Sequence, residues 1–297
     1  MTNAIAVYDP RMHSIVNPDA KLEKLADGAK HSEGPVYLPK DDSVIFSDVS
    51  GDRLFRWSAA DGVSILRQPS DRYYYQNGNY LDLQGRIVAC SHGKRAIIRR
   101  ERDGEWQIIC DRYQNNRLNS PNDLVVKSDG TIWFTDPPFG LTQENEGCGG
   151  QQEQAGSFVY RFDPVSGAID AVIKEMERPN GLAFNPDETI LYVSDTSQVD
   201  YVQGHHYIRA YDLVGVGRVT NGRVFAVVEP GQPDGIKVDR QGNVFTSSAD
   251  SVQIYSADGT RLGKISSHEV VANLAFGKNG KRLFITAGGS LYGIELK

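Results

Sequence analysis

The chain has 297 residues, 24% of them charged and 39% hydrophobic, with a formal net charge of −6 at pH 7. That length supports a large core, while the acidic balance and the lack of a Lys/Arg cluster argue against a nucleic-acid-binding face, which needs positive charge to neutralise phosphates. There is no apolar leader segment and no run of about 18 apolar residues, so the expectation is a soluble, cytoplasmic protein with no membrane partner.

The most basic stretch, "KRAIIRRERDGEW" (94–106), alternates with apolar residues and reads as the solvated face of a strand. Cys90, Cys110 and Cys148 are odd in number and lack metal-ligand spacing, so no disulfide framework is expected.

After about residue 30 helical periodicity almost disappears. Turn residues recur about every 8–12 positions between short runs such as "SVIFSDV" (43–49), "TIWFTD" (131–136) and "ILYVSD" (190–195), the pattern of an all-β meander. A longer unit then emerges: a small polar motif, a short strand, a turn, a strand ending in Ser/Thr-Asp or Ser, a loop and a further strand. It begins six times, at "SEGPVY" (32–37), "QNGNYL" (76–81), "SPNDLVV" (120–126), "RPNGLAF" (178–184), "QPDGIKV" (232–238) and "VVANLAF" (270–276). Repeats of roughly 40–60 residues suit four-stranded propeller blades. The predicted fold is an all-β six-bladed β-propeller with four antiparallel strands per blade, as a single domain over residues 1–297. The sixth unit lacks an outer strand. Within the N-terminal extension of residues 1–30, "KLEKLADG" (21–28) is expected to supply it and close the ring.

Placing the first strands in phase puts Glu33, Asn77, Asn122, Asn180, Asp234 and Ala272 at one shared position. In a propeller these strands line a central channel in parallel, so their entrances converge on one mouth. Five polar residues there are costly, because an unpaired buried amide or carboxylate loses several kcal/mol. Two carboxylates with several amide oxygens suit a hard divalent cation, and the two negative charges balance it. No His or Cys falls at these positions, which disfavours zinc and copper. "SDGT" (128–131), "ADGT" (257–260) and "KNGK" (278–281), by contrast, are ordinary hairpin turns. Asn77 is the weakest member: "QNGNYL" also fits a bulge, or a contact to substrate or to a ligand residue.

At this point the sequence resembles the gluconolactonase/regucalcin (senescence marker protein) family of six-bladed propellers, in its bacterial gluconolactonase-like branch. The residues that carry the resemblance are "SEGPVY" (32–37), "NSPNDLVVKSDGTIWFTDPPFGL" (119–141), "RPNGLAFNPDETILYVSDT" (178–196) and "QPDGIKVDRQGNVF" (232–245), with looser matches at 86–95 and 273–287. The resemblance implies a divalent cation at the channel mouth, Ca²⁺ foremost, with Mg²⁺, Mn²⁺ or Zn²⁺ as alternatives. Its metal ligands carry over to Glu33, Asn180 and Asp234, and Asn122 matches a further Asn that binds metal or substrate. It also implies hydrolysis of sugar lactones.

In that reaction the cation acts as Lewis acid on the lactone carbonyl, and Asp234 either activates water as the catalytic base or serves only as a ligand. The loops at 68–79, 111–123, 136–156 and 195–207 are expected to set specificity. Asn122, Asn77, Arg117 and Arg72 are the candidate substrate-binding residues. No Gly-x-Ser-x-Gly elbow is present, "GCGGQ" (147–151) reads as a loop, and His205 and His206 point to opposite faces of a strand. The competing readings are a metal-dependent phosphotriesterase or aryl-esterase using the same site, a non-catalytic calcium-binding propeller, and a propeller without metal.

Overall fold

The structure, a computed structural model, describes residues 4–70 and 72–297. Short alternating runs become strands, and Gly, Asp and Asn turns reverse them into six antiparallel sheets arranged as a six-bladed propeller. The first blade is built from Ser32–Leu38, Ser43–Asp48, Arg53–Ser58 and Gly62–Arg67, and the second from Gln76–Leu81, Ile87–Ser91, Ala96–Arg100 and Trp106–Cys110. Leu124–Val126, Ile132–Asp136, Phe158–Phe162 and Ile169–Ile173 form the third; Pro179–Phe184, Ile190–Asp195, Tyr207–Val214 and Arg218–Val227 form the fourth. The fifth runs through Ile236–Val238, Val244–Ser247, Ser251–Tyr255 and Arg261–Ser266, and the sixth through Val271–Gly277, Arg282–Ala287 and Ser290–Glu295. Each innermost strand packs on that of the next blade, and the last returns to the first.

The ring closes as the sequence predicts. Glu23–Ala26 pairs antiparallel with Ser290–Glu295, placing Glu23 opposite Gly293 and Lys24 opposite Tyr292. The rest of the extension does something the sequence did not signal. Ile5–Val7 adds a fifth strand to blade five, along Arg261–Ser266. The 3₁₀ turn Pro10–Ser14 that follows buries Met12, and Val16 beyond it is equally enclosed, both packed among residues of blades five and six. Three residues are too few to reveal a strand period.

The apolar core lies between blades rather than at the centre. Trp133, Leu182, Leu191, Val193 and Tyr211 pack between blades three and four, and Phe46, Phe55, Trp57 and Phe284 join blades one and six. Each such buried side chain contributes roughly 1.5–3 kcal/mol.

The Ser/Thr-Asp ending of the second strands has a specific use. Ser47 Oγ donates to the main-chain oxygen of Asn77 at 2.7 Å, Thr135 Oγ1 to that of Asn180 at 2.6 Å, and Ser194 Oγ to that of Asp234 at 2.8 Å. Each hydroxyl thus fixes the key residue of the next blade. The Asp that follows gathers backbone N–H groups leading into its own blade. Asp48 Oδ1 accepts from Lys30 and His31 (2.8 and 3.0 Å), Asp136 Oδ2 from Asn119 (2.8 Å), and Asp195 Oδ2 from Glu177 (2.9 Å). Asp136 and Asp195 are therefore caps of the strand approach.

Candidate functional site

The innermost strands do not run regularly at their entrances. Register shifts fall between Glu33 and Val36, between Gln76 and Asn79, and between Pro179 and Leu182. Such bulges re-aim side chains, and here they sit at the in-phase residues. The glycines of the motif allow the blades to close in. A Cβ on Gly181 would fall 2.1 Å from the Asp234 carbonyl oxygen, whereas the Gly181 N–H donates to that oxygen at 3.1 Å. Gly34, at φ +47°, lies equally close to the Asn77 carbonyl.

Glu33, Asn77, Asn122 and Asn180 are all buried, between 2% and 5% exposed. Asn77 Oδ1, Asn180 Oδ1 and Asp234 Oδ1 are enclosed with no hydrogen-bond donor among the described residues. Buried oxygens of this kind normally find a partner, and three arriving at the entrances of blades two, four and five form a donor-poor, oxygen-rich mouth. Burial raises the Glu33 carboxyl to about 7, the Asp123 charge adding to the effect while His31, the Gly34 N–H and Asn273 oppose it. Burial, followed by the charge of Glu33, lifts Asp234 well above the usual carboxylate range. Two carboxylates repelling each other beside unpartnered amide oxygens suit a hard divalent cation, which would neutralise the first and coordinate the second. Among the described residues no group of three or more His, Cys, Asp and Glu side chains could hold a metal. The mouth therefore combines two carboxylates with amide oxygens.

The sixth blade contributes differently. Ala272 stays apolar, but Asn273, one residue on, donates Nδ2 to Glu33 Oε2 at 3.0 Å and to Asp123 Oδ2 at 3.2 Å. Lys237 Nζ stands 3.7 Å from Asp123 Oδ2 and 3.5 Å from Asn273 Oδ1. This polar floor orients Glu33 from below and is fully paired, unlike the oxygens above it.

Above the site, the loop after blade three's second strand folds over the mouth through the single helical turn Phe139–Thr142. It delivers Glu146, whose carboxylate Oε1 accepts from Ser50 Oγ (2.9 Å) and pairs with His31 Nδ1 (2.8 Å). Although burial opposes protonation of His31, the Glu146 hydrogen bond and charge outweigh it and raise the imidazole to about 9. His31 is therefore cationic at neutral pH, two residues from Glu33. The sequence reading singled out neither Glu146 nor His92, which lies beneath the same loop.

Of the predicted site residues, the structure gathers Glu33, Asn77, Asn122, Asn180 and Asp234. Arg117 lies in the short hairpin Arg112–Tyr113/Asn116–Arg117, with its N–H on Glu153 Oε2 (2.9 Å) and Nη2 on the Lys94 carbonyl (3.1 Å). Arg72 stands apart, 60% exposed and paired with Glu105 of blade two at 3.2 Å. Cys90 and Cys110 are buried free thiols and Cys148 is exposed. No helix among the described residues is long and apolar enough to cross a membrane.

Comparison with known proteins agrees with this fold. The family described as SMP-30/gluconolactonase/LRE-like region matches residues 31–289. A gluconolactonase of Zymomonas mobilis is 32% identical, across 99% of this chain and 86% of its own length. The solved structure of a Xanthomonas campestris gluconolactonase superposes with a TM-score of 0.92 at 38% identity, covering 99% of this chain and 94% of that one. A calcium-binding regucalcin of Agrobacterium tumefaciens, at 17% identity and a TM-score of 0.75 over 94% of this chain and 95% of that one, shares the fold. The matched span begins two residues before Glu33 and ends beyond Asn273, and so contains every residue of the mouth. This chain belongs to the SMP-30/gluconolactonase/LRE-like family.

Proposed function

We propose that this protein hydrolyses sugar lactones, using a divalent cation, Ca²⁺ foremost, held by Glu33, Asn122, Asn180 and Asp234. The observation that carries the cation is the pair of buried, unpartnered oxygens on Asn180 and Asp234 beside the Glu33 carboxylate. The family membership and the gluconolactonases of similar sequence support the lactone as substrate.

When bound, the cation supplies Lewis acidity toward the lactone carbonyl. The chain's own residues do the rest. Asp234 is fixed through its backbone by Ser194 and Ser247, and the carboxylate oxygen that the cation would leave free would receive a proton from the attacking water. Glu33 is oriented by the Gly34 N–H and Asn273 Nδ2, which occupy Oε2. Asn77 Oδ1 offers an acceptor to a sugar hydroxyl. The 137–149 loop and its Glu146–His31 pair wall off one side of the mouth and limit the access of bulk water.

The test is proton release from glucono-1,5-lactone, followed by pH indicator with and without EDTA, for the protein and for Asp234→Asn. Chelation should abolish turnover, and Asp234→Asn should lower it by at least about 100-fold, the lower range for a lost general base. Unchanged turnover in EDTA would remove the cation from the reaction, and unchanged turnover in Asp234→Asn would remove Asp234.

A further inference from the structure

Three blades lack the Asp of the Ser/Thr-Asp ending. Where blades one, three and four carry Asp48, Asp136 and Asp195, blades five and six carry the small residues Ser248 and Ala287, and blade two carries His92 after Ser91. Here the cap of the approaching chain comes from blade one: Asp52 Oδ1 accepts the Tyr75 N–H at 2.8 Å, while His92 N–H donates to the Tyr75 carbonyl and Gly93 N–H to the Tyr74 carbonyl, both at 3.0 Å. The side chain is thereby released from capping and enters the site, 1% exposed.

Its two nitrogens have different partners. Nδ1 lies 2.8 Å from the main-chain oxygen of Glu146, and Nε2 lies 3.3 Å from Asn77 Nδ2. A carbonyl oxygen only accepts, so Nδ1 carries the proton. Burial pushes the ring's pKa down despite the opposing Glu146 charge, which leaves a lone pair on Nε2. That lone pair takes an N–H of Asn77. An amide whose nitrogen is committed to the ring must present its oxygen elsewhere, and Asn77 Oδ1 is the buried oxygen without a donor. The opposite amide orientation would set an oxygen against the imidazole lone pair. The ring also supports the loop, since a Cβ on Gly140 would fall 2.6 Å from the His92 Cβ.

We propose that His92 is a positioning residue: a neutral Nδ1–H imidazole that turns the Asn77 amide oxygen into the channel mouth and couples that orientation to the seating of the 137–149 loop. The ligand served is a hydroxyl donor on a polyhydroxylated lactone, and this part rests on the lactonase reading above. The Asp-to-His change in one blade therefore converts a structural cap into a link between substrate recognition and the covering loop.

Two conservative variants separate the ends of the link. The Asn amide reaches about as far as Nδ1, so His92→Asn keeps the loop tether and loses Asn77; the Gln amide reaches about as far as Nε2, so His92→Gln does the reverse. With glucono-1,5-lactone, His92→Asn should raise KM about tenfold, the scale of one lost hydrogen bond, with kcat changed less than about threefold. Asn77→Ala should do the same, and the double variant should be no worse than Asn77→Ala alone. His92→Gln should restore KM to within about threefold while hydrogen exchange in residues 139–149 speeds up. Long-range ¹H–¹⁵N spectra of the wild-type imidazoles should show His92 as the neutral Nδ1–H form. An Nε2–H or doubly protonated ring would overturn the proposal, as would losses that multiply in the double variant. The spectra and the exchange need no turnover, so a protein inactive on lactones would refute the functional reading while the positioning role is still decided.

Discussion

Asn180 and Asn185 lie five residues apart in "RPNGLAFNPDETILYVSDT" and offer a matched comparison. Asn185 Oδ1 accepts the N–H groups of Thr189 (2.9 Å) and Ile190 (2.8 Å), holding the hairpin together. Asn180 Oδ1 is buried and accepts nothing among the described residues. Asn185→Leu therefore removes these two hydrogen bonds, at about 0.5–1.5 kcal/mol each, together with the longer Nδ2 bond to Thr189 Oγ1 at 3.2 Å, and should destabilise the protein by at least about 1–3 kcal/mol. Asn180→Leu removes an unpaired buried acceptor, whose desolvation costs about 1–3 kcal/mol, so in EDTA it should be neutral or stabilising. At roughly 2–4 °C per kcal/mol, the melting temperature in EDTA should fall by several degrees in the first variant and hold or rise in the second. Cation affinity, read by sensitised Tb³⁺ luminescence with Ca²⁺ competition, should reverse the order: unchanged for Asn185→Leu and weakened at least about tenfold for Asn180→Leu. If Asn180→Leu lowers the melting temperature in EDTA as much as Asn185→Leu and leaves cation affinity intact, Asn180 is a structural amide and the ligand assignment fails.

Gly181→Ala places a methyl group 2.1 Å from the Asp234 carbonyl, so the two blades must separate there; a loss of about 1–3 kcal/mol in urea unfolding is expected, with weaker cation binding. Met12→Ala empties a site that is fully buried between blades five and six. It should cost about 2–5 kcal/mol by calorimetry and leave kcat at 25 °C unchanged, because the cavity is remote from the mouth. Asp136 has its carboxyl raised to about 7, chiefly by burial, against the N–H bonds of Asn119 and Ser120 and the charge of Arg95. The folded state thus binds this proton more tightly than the unfolded chain. The stability it contributes is full below about pH 4 and is lost as pH rises to about 7. Asp136→Asn should accordingly flatten the fall in stability between pH 5 and 8 in denaturant titrations, and an unaltered slope would show that Asp136 is not the group responsible.

The propeller was legible because each blade makes the same local demands. A hydroxyl ends every second strand, with a carboxylate after it in blades one, three and four, and a polar residue followed by glycine begins the first strand in four blades, so six imperfect copies can be aligned by eye. The same phase located Glu33, Asn77, Asn122, Asn180 and Asp234, and the missing outer strand of blade six pointed to residues 21–28. What stayed hidden depends on residues meeting across repeats. His31 and Glu146 are 115 residues apart, and nothing in "NEGCGG" marks one acidic residue as the one that turns inward. Asn273 escaped because the bulge in the last inner strand moves the functional amide one residue past the aligned Ala272. His92 carried a readable signal, a histidine in a register otherwise held by Asp in three blades. Arg72 and Arg117 are candidates by residue type alone, because sequence does not show which partners a long loop side chain takes; in the structure these are Glu105 and the Lys94 carbonyl.

The ring and the site are held by the same bonds. Ser47, Thr135 and Ser194 each bind the carbonyl of a mouth residue in the following blade, so the spacing between blades sets the spacing of the oxygens. The seam between blades six and one is crossed at two depths. Ser32 Oγ donates to the carbonyls of Gly288 and Ser290, at 3.0 and 2.9 Å, and Asn273 reaches Glu33 at 3.0 Å inside the channel. That seam is also flanked by the Glu23–Ala26 strand, which completes blade six immediately before the chain enters blade one. A site assembled from one or two residues per blade is precise only when the ring is shut. The N-terminal strand therefore closes the ring beside the seam that carries Glu33, so the bonds that shut the propeller also fix where blade one enters the mouth.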